Sequence, residues 1–203
     1  MSQFAQLATE NQIKSAVKHL EENGFAVHVV DTKEEALQVV TRAIPEKAEV
    51  MTGSSTTLNE IGFATALEEN KKNWVNWGAK VWSENDDTKR SHLRRQALLA
   101  EYFLSSVNAI TEDGKLVAVD ASGSRVGALP FAAEKIIFVV GTNKITKDLD
   151  TAFQRVREYV FPQEDARAQE AYGIHSSMNK WVILEGDQPE RTTVVLVKEA
   201  LGF

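Results

Sequence analysis

The chain alternates between short apolar runs and longer amphipathic segments, and this alternation most constrains its fold. Residues 25–30, 135–140 and 192–197 are mostly apolar or β-branched, a composition typical of strands buried on both faces of a parallel sheet. The segments between such runs place apolar residues at helical spacing and have capping residues at their ends, such as Gly24 and Thr32. Strands separated by helices favour a mostly parallel sheet covered on both faces. We therefore expect a three-layer α/β fold.

Element boundaries follow from the same pattern. It predicts helices at about residues 4–22, 32–44, 57–69, 87–105 and 148–160, the last of them stopped by Pro162. It predicts that one sheet contains the apolar segments 25–30, 48–51, 135–140, 181–184 and 192–197. Residues 109–119 are predicted to form an inserted hairpin with its turn at 112–114, and residues 79–82 have some strand character. Without a linker or repeat, a single domain over residues 1–203 is expected.

Composition narrows the class of function. The chain has 23 Lys and Arg against 29 Asp and Glu, a net charge of −6, so it lacks the basic surface that nucleic acid or an anionic membrane would require. The absence of cysteine excludes a disulfide framework, a cysteine-ligated zinc or iron–sulfur site within this chain, and a cysteine nucleophile. There is neither a membrane-spanning apolar run nor a recognisable signal peptide. We therefore expect a cytoplasmic protein with no nucleic-acid or membrane partner.

The first candidate site is a turn rich in hydroxyl groups between a strand and a helix. It contains Gly53, Ser54, Ser55, Thr56 and Thr57. In open α/β sheets ligands bind at the carboxyl ends of strands, and free backbone N–H groups with hydroxyls can hold an anion there. The turn is neither a Walker loop nor a dinucleotide fingerprint. The alternative is that these side chains only cap the following helix.

The second candidate site comprises polar residues at the two ends of the predicted hairpin. Asn108 precedes the hairpin, and Asp120 and Arg125 follow it. The planar guanidinium of Arg125 suits a carboxylate or a phosphate, and the other two side chains can orient a polar ligand. Residues of these types also satisfy backbone groups in turns, which is their commoner use. The sequence leaves both interpretations open.

The third candidate site follows the most apolar predicted strand. Asn143 and Lys144 come directly after residues 135–140, so they lie at the edge of the sheet where ligands are expected. Lys144 can hold an anionic substrate there, or it can be a solvated loop charge. We favour the binding interpretation because its position and its residue type agree.

Other residues give weaker signals. His28, His92 and His175 have no partners at metal-ligand spacing, so no metal site is expected. Without a dinucleotide fingerprint no nicotinamide is expected, and we predict no cofactor. The tryptophans include three in residues 74–82, which we interpret as a packed edge or an oligomer contact, leaving a homo-oligomer open. A stacking platform for nucleic acid does not fit the acidic charge.

Several blocks of the sequence together resemble the LUD-domain, or lactate-utilisation, family. They are Asn-Ala-Ile-Thr-Glu-Asp-Gly at 108–114, Asp120 with Gly123 and Arg125, Val-Val-Gly-Thr-Asn-Lys-Ile at 139–145, and the ending at 194–203. Ala152, Arg155, Pro162 and Arg167 continue the resemblance, as do residues 53–56 and 60–62. The resemblance covers nearly the whole chain. It implies a three-layer fold like that of the CoA transferases, ribose-5-phosphate isomerase and glucosamine-6-phosphate deaminase.

The resemblance also implies a role in oxidising lactate to pyruvate together with iron–sulfur proteins. Short members of the family carry a cysteine cluster before the last strand, whereas residues 171–180 contain none here. We therefore expect a substrate-handling or accessory subunit of 2-hydroxy-acid oxidation that passes electrons to an iron–sulfur oxidoreductase partner. In this reading residues 53–57 bind a small anionic metabolite, Arg125 and Lys144 neutralise its charge, and residues 108, 120 and 143 orient it.

Two alternatives remain at this stage. One is a stand-alone enzyme acting on a phosphorylated or CoA-linked metabolite, which rests on the fold resemblance alone and is therefore weakly supported. The other is a non-catalytic interaction module in which the polar turns are only structural. The resemblance supplies no catalytic residue, so none is assigned.

Overall fold

The computed structural model describes residues 2–203, which form ten strands and eight helices. The strands are β1 Ala26–Val30, β2 Glu49–Thr52, β3 Val75–Asn76, β4 Tyr102–Ser105, β5 Ala109–Thr111, β6 Leu116–Asp120, β7 Lys135–Gly141, β8 Ile145–Thr146, β9 Lys180–Leu184 and β10 Thr192–Val197. The helices are α1 Glu10–Glu22, α2 Lys33–Ala43, α3 Thr56–Glu60, α4 Phe63–Glu69, α5 Trp77–Trp82, α6 Asp87–Gln96, α7 Leu149–Arg155 and α8 Phe161–Tyr172. No helix in this part of the chain is long and apolar enough to cross a membrane.

The strands form two sheets. The main sheet has six parallel strands in the order β1-β10-β7-β4-β2-β3. The smaller sheet has the order β8-β5-β6-β9 and contains the predicted hairpin, in which β5 pairs antiparallel with β6. The expectation of a single sheet was wrong for residues 181–184, because β9 pairs antiparallel with β6. Its side chains are only partly buried, which is typical of an antiparallel strand with one solvated face.

Helices and the smaller sheet cover the main sheet on its two faces. Along β7, Phe138 and Val140 belong to a core with α1 and the hairpin. The alternate residues Ile137 and Val139 belong to a second core with α2, α3 and α4. Successive side chains of a strand point to opposite faces, so β7 is buried from both sides. The chain therefore has the expected α/β fold with a mostly parallel central sheet, consistent with three layers.

The predicted helix at 87–105 is wrong in its second half. α6 ends at Gln96, a 3-10 turn follows at residues 97–99, and Ala100 has extended backbone angles. Residues 102–105 then form β4, which pairs with β2 on one side and β7 on the other. Phe103 and Leu104 are both fully buried, in opposite cores. A short apolar run fits a helical stripe and a buried strand equally well, so the pairing partners decide its structure.

Three further boundaries differ from the prediction. Residues 79–82 belong to α5, and the predicted helix at 57–69 is two helices separated by Gly62, whose φ is 80°. The predicted stop at Pro162 was wrong. α7 continues through a π-helical turn at residues 156–160 into α8. Pro162 follows this π-helical turn, which interrupts the regular α-helical hydrogen-bond pattern in which a proline would otherwise remove a bond.

Candidate functional site

A cavity of about 840 Å³ opens at the carboxyl ends of β2 and β4 in the main sheet. This is the edge at which ligands of open α/β sheets bind. Nine of the ten residues predicted from the sequence line this cavity: Gly53, Ser54, Ser55, Thr56, Thr57, Asn108, Asp120, Arg125 and Lys144. Three separate stretches of sequence therefore meet in one place. Their role in binding stays a prediction.

Lys144 is buried at the inner end of the cavity. Its Nζ donates hydrogen bonds to Thr57 Oγ1 and Ser106 Oγ, both at 3.1 Å, and to the carbonyl oxygen of Val107 at 3.4 Å. All three acceptors are uncharged. Burial, together with the nearby guanidinium groups of Arg155 and Arg125, lowers the pKa of Lys144 to about 7. The amine is therefore poised to gain a proton when a negative charge arrives beside it.

Arg125 reaches the cavity from the loop after β6. Its guanidinium donates to the carbonyl oxygen of Ser106 at 2.8 Å, to Asn108 Oδ1 at 3.2 Å and to the carbonyl oxygen of Val119. Burial lowers the pKa of Arg125, and the carboxylate of Asp120 offsets part of this effect. Arginine remains charged in proteins, so this is a fixed positive group held in place by neutral acceptors.

Asn108 connects Arg125 to a second buried arginine. The backbone carbonyl oxygen of Asn108 accepts a hydrogen bond of 2.6 Å from Arg155 Nη1. Arg155 is fully buried, its guanidinium lies 5.3 Å from the ring centre of Tyr159, and its Nε and Nη2 have no hydrogen-bond partner. Burial lowers the pKa of Arg155 to about 10. The sequence analysis did not place Arg155 in the site, because α7 reaches this position only through the tertiary fold.

Some predicted site residues also have structural roles. Asp120 Oδ2 accepts from the backbone N–H of Arg125 at 2.8 Å, which fixes the turn that carries this arginine. Ser55 Oγ accepts from the N–H of Leu58 at 3.2 Å and caps α3, as the structural alternative for this turn expects. Asp120 and Ser55 therefore stabilise local turns and also line the cavity, so neither ligand binding nor a purely structural role is excluded for them.

Asn143 is the predicted residue that the structure places outside the cavity lining. Its Oδ1 accepts from the N–H of Leu201 at 3.2 Å, and its Nδ2 donates to the carbonyl oxygen of Gly202 at 3.4 Å. These contacts hold the C-terminal segment against the end of β7. Asn143 is adjacent to Lys144 in sequence, but its side chain supports the wall of the cavity.

The outer part of the cavity is lined by side chains that the sequence analysis missed. They come from α5, α6 and α8 and include Trp82, Arg94, Glu164, Arg167 and Tyr172. Trp82 had been interpreted together with its neighbours as a packed edge or an oligomer contact. That interpretation fits Trp74, which is buried against Phe63 with ring centres 5.8 Å apart. Trp82 is exposed at the mouth of the cavity and so does not form a packed edge within the chain, while an oligomer contact at this residue stays a prediction.

The charge of the inner site suits an anion. Within residues 2–203, Lys144, Arg125 and Arg155 form no ion pair with an acidic side chain. No three His, Asp or Glu side chains of these residues come together in an arrangement that could hold a metal ion. Buried charges are ordinarily paired, and among the described residues no acidic side chain is in ion-pair contact with this cluster.

The fold and the site together define an α/β protein with a cationic cavity at the carboxyl edge of a parallel sheet. Comparison with known families identifies it further, because the model of the LUD domain matches residues 13–197. The chain therefore belongs to the LUD-domain family, as its sequence blocks predicted.

A solved structure agrees with this fold. A crystal structure of a DUF162 family protein from Deinococcus radiodurans is similar with a TM-score of 0.56 and 13% identity, covering 95% of this chain and 99% of that one. A crystal structure of eIF2B delta from Chaetomium thermophilum gives a TM-score of 0.32 at 13% identity, over 70% of this chain and 50% of that one. The second value is too low to support an argument. No curated protein matches the sequence significantly.

Proposed function

We propose that this protein binds a small organic anion in its cationic cavity and serves as a substrate-handling subunit in the use of lactate or another 2-hydroxy acid. The observation that carries the proposal is the set of three positive side chains, Lys144, Arg125 and Arg155, gathered without an acidic partner among the described residues. The association of the LUD-domain family with lactate supports the choice of substrate class.

The inner site offers donors for both ends of such a ligand. Lys144 and Arg125 line the cavity and supply the charge for a carboxylate. The hydroxyl groups of Ser54 and Thr56 line the same space and can bond to the 2-hydroxy group, since a hydroxyl both donates and accepts. Arg155 is set behind Asn108 and acts on the site through its charge.

Oxidation of a 2-hydroxy acid to a 2-oxo acid releases two electrons and two protons, which something must accept. The chain has no cysteine to ligate a cluster, so in this proposal the electrons pass to an iron–sulfur oxidoreductase partner in the cytoplasm. Lys144, with a pKa near 7, is suited to exchange a proton with the bound acid.

Calorimetric titration with L-lactate and with pyruvate tests the proposal. The unmodified protein should bind at least one of them, and Lys144→Met should weaken that binding about tenfold or more, because a charge-assisted hydrogen bond is lost. Lys147→Met is the matched control: Lys147 is exposed, is three residues away and does not line the cavity. The proposal fails if neither acid binds, or if the two variants bind equally well.

A further inference from the structure

The cavity is much larger than a three-carbon acid. A water-sized group occupies roughly 30 Å³, so the six non-hydrogen atoms of lactate would fill less than a quarter of the 840 Å³. A volume of this size is typical of sites for larger metabolites. Lys144 and Arg125 lie at the inner end, whereas the outer end combines the aromatic rings of Trp82 and Tyr172 with two further arginines, a chemical character that the proposed function leaves unused.

We infer that the outer end of the cavity binds a flat aromatic ring system, so that beyond a 2-hydroxy acid the cavity also accepts a larger organic anion of the nucleoside-phosphate type. The inference rests on the proposed anion site, which would hold the charged end of the same molecule. Two aromatic residues at the mouth carry it: Trp82 is 69% exposed and Tyr172 is 62% exposed, and both line the cavity. Aromatic side chains that line a cavity present apolar faces on which a flat ring can stack.

Each of these two rings is accompanied by a guanidinium group. Arg94 lies 5.9 Å from the ring centre of Trp82, and Arg167 lies 5.5 Å from the ring centre of Tyr172. Both distances are within the range of a cation–π contact. The guanidinium groups hold the rings in place while most of each ring surface stays exposed, so two prepositioned stacking surfaces are available at the mouth.

The α8 side of the mouth is fixed by an ion pair. Arg167 Nε and Nη2 each donate to a carboxylate oxygen of Glu164 at 2.7 Å, and this pairing raises the pKa of Arg167. Arg94, on α6, forms no ion pair with any described residue. A positive group is therefore still available beside Trp82, where it can contact a second phosphate or a polar edge of the ring system.

The two ends of the cavity thus differ in what they recognise. The inner end presents Lys144 and Arg125, which suit a phosphate or carboxylate, and the outer end presents aromatic faces. A nucleoside phosphate has this same division between a charged group and a flat base, joined by a sugar. Stacking of a base on an aromatic side chain does not depend strongly on which base is present, so the structure defines the class of ligand.

Two probes that differ only in the flat group test the inference. Adenosine 5′-monophosphate contains the phosphate and sugar of ribose 5-phosphate and adds the adenine ring. Calorimetry should show that the nucleotide binds about tenfold more tightly than the sugar phosphate, the effect expected of one stacked base. Trp82→Ala or Tyr172→Ala should remove most of this difference and leave the affinity for ribose 5-phosphate within about twofold.

Phe131→Ala is the matched control, because Phe131 is 90% exposed and does not line the cavity. It should change neither affinity. Equal binding of the two probes, or equal effects of the three aromatic substitutions, would overturn the inference while leaving the anion site intact. Failure of both probes and of L-lactate to bind would overturn the proposed function as well. The substituted side chains are exposed, so thermal unfolding should confirm that each variant is folded.

Discussion

Gly53 makes room for Arg125. A β-carbon at residue 53 would lie 2.8 Å from both Cγ and Cδ of Arg125 and 3.0 Å from Ser105 Oγ, distances that are shorter than van der Waals contact. Arg125 comes from the loop after β6, whereas Gly53 directly follows β2 in the other sheet. The glycine therefore permits the contact between the two sheets that brings a fixed positive charge into the cavity.

Gly53→Ala should displace Arg125 and weaken binding of L-lactate. The methyl group forces the arginine stem to move by several tenths of an ångström, and such misplacement of a charged donor costs affinity because hydrogen-bond energy falls steeply with geometry. We expect a loss of about three- to tenfold in calorimetry, together with a lower thermal unfolding temperature.

A double-mutant cycle separates this effect from a general disturbance of the turn. In an Arg125→Ala background the stem is gone, so adding Gly53→Ala should cost little further affinity or stability. A Gly53→Ala effect of the same size in both backgrounds would show that Arg125 is not the group being displaced.

Affinity for L-lactate should fall as the pH rises through about 7. Lys144 is charged below its pKa of about 7 and neutral above it, while the lactate carboxylate stays ionised throughout. The groups that act on this pKa are Arg125 and Arg155, which lower it, and Glu60, which raises it. Between pH 6 and pH 8 the charged fraction falls about tenfold, so the dissociation constant should rise by up to that factor.

The Lys144→Met variant provides the reference for this pH profile. It should bind weakly at every pH between 6 and 8, whereas Lys147→Met should reproduce the profile of the unmodified protein. Constant affinity of the unmodified protein over this range would show that the Lys144 amine does not take part in binding the acid.

Burial of the Lys144 amine should also lower the unfolding free energy by an amount that depends on pH. Burial lowers the pKa of Lys144 from 10.5 to about 7, so between these values the unfolded chain holds a proton that the folded chain has released. The unfolding free energy contributed by this lysine therefore rises with pH across that window, by up to about 1.4 kcal/mol per pH unit. Below pH 7 the folded state bears the full cost of burying a charge.

Urea unfolding of Lys144→Met and the unmodified protein at pH 6 and pH 9 measures this cost. The unfolding free energy of Lys144→Met should exceed that of the unmodified protein by the largest amount at pH 6. Its relative advantage should shrink by about 3 kcal/mol at pH 9. A difference between the two proteins that stays constant with pH would mean that the folded-state pKa of Lys144 is not lowered.

Asn143→Ala should affect stability more than binding. The substitution removes the hydrogen bonds to Leu201 and Gly202 and leaves a buried N–H without its acceptor, at a cost of about 1–3 kcal/mol. Thermal unfolding should show this loss, while the affinity for L-lactate at low temperature should fall less than in Lys144→Met. A tenfold loss of affinity with unchanged stability would instead support the role in orienting the ligand that the sequence suggested.

The sequence predicted the class of fold, and for identifiable reasons it also singled out much of the lining of the cavity. Apolar runs such as residues 135–140 can be buried only between two layers, and the turns that follow parallel strands meet at one edge. Residues 53–57, 108, 120, 125 and 144 were found in this way. Residues 102–105 were predicted as helix because a short apolar run has no period of its own, and their strand pairing is a non-local property.

What the sequence determined by itself was local: the strand and helix periods, most of the capping residues, the hairpin, and the type of side chain placed at each strand end. Only the tertiary structure decided that β9 pairs with the hairpin, that Arg155 lies behind Asn108, and that Trp82 and Tyr172 share one cavity mouth. These relationships join residues far apart in sequence. The free energy that establishes them comes from burial and pairing between elements, which no local pattern encodes.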